Sequence, residues 1–64
     1  MAQDTPEARW RKLPRQERDR RTHAAEERVP RTADLAAWNR AVKVEAIRAL
    51  EAERAARAAE GARA

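Results

Sequence analysis

Cysteine, serine, tyrosine and phenylalanine are all missing from this 64-residue chain, which also has a single glycine. Without cysteine there is no disulfide framework and no thiolate metal site, a composition that fits a reducing compartment. The usual nucleophiles Ser, Cys and Tyr are gone, and one glycine cannot build a phosphate-cradling loop, so the chain is expected to be no enzyme and to carry no cofactor. Long apolar runs are missing too. None approaches the ~18 residues that span a bilayer, and the opening MAQDTPEARW lacks the basic and apolar regions of a signal peptide. A cytoplasmic, membrane-free protein without a small-molecule substrate is the expectation.

Large apolar side chains are also few: Met1, Trp10, Leu13, Val29, Leu35, Trp38, Val42, Val44, Ile47 and Leu50, with alanine making up the rest of the 42% apolar fraction. A chain this short lies near the lower limit for one self-sufficient core. The ordered form is therefore expected to be completed by a partner or by self-association.

What the chain has is charge. Charged residues are 41% of the total, Lys and Arg number 15 against 11 Asp and Glu, and the net charge is +4. Such a balance suits an acidic partner. An arginine- and alanine-rich host composition is the plain competing source of the same bias.

Pro14 and Pro30 divide the chain, because proline interrupts helical hydrogen bonding and pushes the preceding residue toward extended geometry. Thr5-Pro6-Glu7 reads as a helix start, with a threonine cap, proline in the first turn and an acid at the positive end of the dipole. It predicts a short helix from about Pro6 to Leu13 carrying Trp10 and Leu13. A second helix is expected over Arg15 to Arg28, supported by an i, i+4 pair of Glu17 and Arg21. Third comes a long helix from Ala33 to Glu60, with Thr32 as cap, Asp34 in its first turn, a Glu53–Arg57 pair and Gly61 as terminator. The fold class is therefore all-α. It divides into a basic N-terminal arm over 1–31, folding back or reaching across a partner, and an Ala/Glu/Arg-rich amphipathic helix over 32–64.

At ~100° per residue, Leu35, Trp38, Val42, Ala46 and Ala49 share one face of the long helix, while Val44, Ile47 and Leu50 fall elsewhere. The packing or docking residues are thus Leu35, Trp38, Val42, Ile47 and Leu50. Beyond Leu50 only alanine separates the charges, and a heptad seam through Leu35, Trp38 and Val42 runs onto Glu45 and then alanines, so a coiled coil is weakly supported.

Two constellations could carry chemistry. Asp19, His23 and Glu27, spaced i, i+4, i+8, would stack along one helical face. A lone histidine among exposed acids is normally solvated, and no metal site is expected. The stronger signal is Arg9 to Arg21, where Arg9, Arg11, Lys12, Arg15, Arg18, Arg20 and Arg21 outnumber Glu17 and Asp19. Arginine forks bind phosphates and carboxylates, and Trp10 can stack on bases or anchor in a pocket. These eight residues are the expected contact to an acidic partner, either RNA/DNA or protein. The composition is similar to arginine-rich helices that order on RNA, with no family-specific pattern.

The expected role is a small accessory binding protein of a nucleoprotein or other macromolecular assembly. The competing expectation is a self-assembling structural or regulatory protein, such as a phage or plasmid component or an antitoxin-like inhibitor, that binds protein alone and forms homo-oligomers.

Overall fold

The computed structural model of the protein describes residues 4–63 and is all-α, with α1 at Pro6–Lys12, α2 at Arg15–Arg28 and α3 at Leu35–Arg63. Each boundary has a local cause. The Thr5 hydroxyl accepts from the Ala8 N–H at 3.1 Å, Pro6 occupies the first turn, and α1 closes where the Leu13 N–H donates to the Trp10 carbonyl just before Pro14. Val29, whose N–H donates to the Ala25 carbonyl, ends α2 immediately before Pro30.

Both ends of α3 differ from the sequence-based expectation. Asp34 rather than Thr32 caps it, its Oδ1 accepting from the Ala37 N–H at 3.1 Å, while the Thr32 hydroxyl donates to the Asp34 carbonyl. A carboxylate at this position accepts a helix N–H and offsets the dipole as well, which the neutral threonine cannot do. At the other end Gly61 does not stop the helix, which continues to Arg63. No residue of the described chain has the positive φ of a glycine terminator.

Ion pairs define how the helices lie. Arg21 meets Glu53 and Arg28 meets Glu45, so α2 runs antiparallel to α3. Arg9 meets Glu51, while Thr5, Pro6 and Glu7 border the same recess as Val44 and Ile47, so α1 runs alongside α3 in the same direction. The N-terminal third thus folds back onto the long helix.

Trp10 (6% exposed), Ala25, Val42, Ala46 and Leu50 are buried together, with Leu13, Val29, Trp38 and Ile47 packed around them. Four of these nine, Trp10, Leu13, Ala25 and Val29, come from the arm. Residues 1–31 are therefore not separable from the long helix in packing, although the sequence assigns almost no apolar surface to α2. Ala25 is fully buried, and its small side chain is what permits α2 to approach α3. Leu35 lies outside this cluster, 52% exposed, and Val44 is 56% exposed. Met1 lies outside the described residues.

Beyond Glu51 every residue of α3 through Ala62 is exposed. The helix spans about 43 Å at 1.5 Å per residue, close to the molecule's 46 Å long axis, and its last three turns lie outside the packed core.

Candidate interaction surface

The eight contact residues expected between Arg9 and Arg21 divide in the structure into an inward and an outward group, with the half-buried Arg18 between them. Arg9, Trp10 and Arg21 are held inward. The Arg9 guanidinium donates to Glu51 through Nε at 2.9 Å and Nη2 at 2.5 Å, and also to the Asp4 carbonyl at 2.8 Å. Arg21 donates through Nε to Glu17 at 2.7 Å and through its two Nη atoms to Glu53 at 2.6 and 3.1 Å. Trp10, for which the sequence leaves docking and anchoring open, docks into the core.

Arg11, Lys12, Arg15 and Arg20 face outward. Arg11 approaches Glu7 at 3.6 Å and Arg15 approaches Asp19 at 3.8 Å, both as exposed i, i+4 pairs, and Arg20 shares Glu17 with Arg21. Such pairs are weak and exchange readily for other partners. Lys12 has no carboxylate partner among the described residues, and neither does Arg18, whose Nε is buried without a hydrogen-bond partner.

Among the described residues three ion pairs join the arm to α3, each with the arginine on the arm and the glutamate on the helix: Arg9–Glu51, Arg21–Glu53 and Arg28–Glu45, the last at 3.3 Å. Sequence reasoning missed the roles of Arg28, Glu45 and Glu51, and assigned Glu53 to Arg57 by i, i+4 spacing, whereas its carboxylate binds Arg21. The only signal was that Glu45 and Glu53 fall on or near the α3 face that carries Val42, Ala46 and Leu50, whereas Glu51 stands one turn after Ile47 on the side that meets α1. The Arg9 fork holds the Glu51 carboxyl below its ordinary value, and Arg21 does the same to Glu17 and Glu53. Hydrogen bonding to those carboxylates raises both guanidinium values in turn, against partial desolvation.

At the other end of the hairpin, Trp38 is half-buried. Its indole N–H donates to the Val29 carbonyl at 3.2 Å, and the Arg31 guanidinium lies 5.0 Å from its ring centre. A recess of about 460 Å³ here is bordered by His23, Glu26, Glu27 and Val29 as well as these two residues. His23 pairs with Glu26 at 3.3 Å, not with Asp19 or Glu27. No three potential ligands converge on a metal position among the described residues.

Of the residues read as packing or docking, Val42 and Leu50 are buried, Trp38 and Ile47 pack at the edge, and Leu35 is left largely exposed. No described helix is long and apolar enough to cross a membrane. No protein-family model, curated protein or solved structure matches the chain.

Proposed function

We propose that this chain is a non-enzymatic accessory binding module of a macromolecular assembly, docking a cationic surface on an acidic partner. The observation that supports this reading is the distribution of charge after internal pairing. Asp4, Glu7, Glu17, Asp19, Glu45, Glu51 and Glu53 each pair with an arginine; among the described residues the cations that form no ion pair, Lys12, Arg18, Arg31, Arg40, Lys43, Arg48 and Arg57, outnumber the acids left without an arginine, Glu26, Glu27, Asp34 and Glu60. The surplus charge is thus concentrated on groups without an internal counter-charge, and concentrating it is favourable where an acidic surface compensates it.

Affinity capture from a host extract, with and without nuclease treatment, tests this reading. Recovery of an acidic protein or a nucleic acid whose retention falls with salt supports it. Recovery of neither at physiological salt sinks it, leaving host composition as the explanation for the arginines.

Self-assembly is the second reading, supported by the exposure of Leu35 and Val44 and by the apolar recess of about 470 Å³ where Val44 and Ile47 meet Pro6. Sedimentation at micromolar concentration separates the two, because the first reading accepts a monomer and the second does not.

A further inference from the structure

The three arm-to-helix ion pairs have one polarity, and this bears on how the arm meets a partner. Arg9, Arg21 and Arg28 lie on the arm, and Glu51, Glu53 and Glu45 on α3 are the anions that hold them. Two of the contacts are forks: Arg9 engages Glu51 through Nε and Nη2, and Arg21 engages Glu53 through both Nη atoms. Phosphate oxygens accept the same pair of donors in the same plane. The carboxylates of α3 therefore sit where a phosphate would.

We propose that this row of glutamates is an internal competitor for a nucleic-acid backbone, so that the docked arm is a closed state and the arm's arginines are released to phosphates when it lifts from α3. The inference rests on the reading that the cationic surface binds an acidic partner, and it names that partner as nucleic acid.

The case for a nucleic acid over an acidic protein is one of competition. Glutamates tethered a few ångströms away act at an effective concentration of about millimolar or more, which a single free anion at ordinary concentration cannot match. A polyphosphate chain can, because it engages several forks at once and releases condensed counterions as each is filled. An acidic protein patch has no condensed counterions to release. Opening exposes Trp10 and Ala25, the two enclosed residues of the arm, so the partner must engage several forks at once to offset that burial. Arg18, already packed inward with an unpartnered Nε, gains partners on opening.

The test uses the whole chain in two arms. In the first, the pair Glu51→Gln and Glu53→Gln is compared with Glu27→Gln and Glu60→Gln. Both remove two negative charges, but neither Glu27 nor Glu60 holds an arginine among the described residues. Affinity for a random-sequence duplex and for a random RNA is expected to rise at least about threefold more for the first pair than for the second, as two internal competitors are removed. Equal gains would trace the effect to net charge and overturn the proposal.

The second arm needs no clasp variant, so it stands even if the first pair fails to fold. With Trp38→Phe, Trp10 is the sole fluorophore. Its blue-shifted emission is expected to move to the red or to be quenched by stacking on saturating nucleic acid, and to stay unchanged in inorganic phosphate. Saturable nucleic-acid binding with unchanged Trp10 emission overturns the closed-state proposal while leaving the binding function standing. A response to polyglutamate but not to nucleic acid overturns the choice of partner. Binding to no polyanion overturns both readings.

Discussion

Trp10 carries the largest share of the packing between the arm and the long helix. It is the only large side chain of α1 that is fully enclosed, and it sits among Val42, Ala46 and Leu50. Trp10→Ala is therefore expected to cost about 3–5 kcal/mol, the range for truncating a buried aromatic. Leu35→Ala, at a position half open to solvent, should cost well under about 1 kcal/mol. Thermal unfolding followed by circular dichroism compares the two, and similar losses would place the core further toward the start of α3 than the structure does. Arginine contributes differently at this scale. Arg31 over Trp38 covers an aromatic face, while Arg9 and Arg21 join helices. One residue type thus serves packing, tethering and surface charge, which composition alone cannot separate.

Among the helices, the pH response belongs to the contacts of α1 and α2 with α3. Glu17, Glu51 and Glu53 all titrate below their ordinary value of 4.5 because arginine forks favour the ionised form. The sign follows from linkage. Their contribution is complete above about 4.5, where the unfolded carboxyls are ionised, and is lost as pH falls through the lowered folded values. Acid titration of Trp10 emission should show the arm holding at neutral pH and loosening only below about 4.5, and loosening already well above 4.5 would take the contact away from these glutamates. Gly61 offers a second check within α3. A Cβ there meets nothing within 4 Å, so Gly61→Ala should strengthen the local helix by about 0.5–1 kcal/mol, seen as slower amide exchange in the last turns. Three helices, and the span of α2, were legible because prolines and caps act locally. Antiparallel docking of α2 was not, since it depends on one enclosed alanine, Ala25, and on Arg21–Glu53 and Arg28–Glu45 contacts 32 and 17 residues apart. The basic segment was legible as charge, but which of its arginines turn inward is decided by the α3 glutamates, and no local pattern marks those.

At the scale of the whole molecule, the compact part and the rod are unequal. Everything that packs lies between residues 10 and 50, while α3 continues for three exposed turns beyond Glu51. Deleting the residues after Arg57 is expected to leave the thermal transition within about 0.5 kcal/mol of the intact chain, as measured by circular dichroism. A large drop would show that the distal turns support the packed part after all.

This rod also has a consequence for proteolysis. A protease binds its substrate as an extended strand, so a helix is cut where it opens most cheaply. Beyond Glu53, which Arg21 holds, the distal turns of α3 rest on their own backbone bonds and present Arg54 and Arg57 to solvent. Arg40, Lys43 and Arg48 are just as exposed but share their turns with the buried Val42, Ala46 and Leu50, so opening there means undoing the core. Within α3, brief trypsin treatment should therefore cut first after Arg54 or Arg57. Mass spectrometry of the early digest would show this, and a first cut at Arg40 or Arg48 would argue against it. A protease meeting α3 would trim it stepwise from its exposed end toward the core.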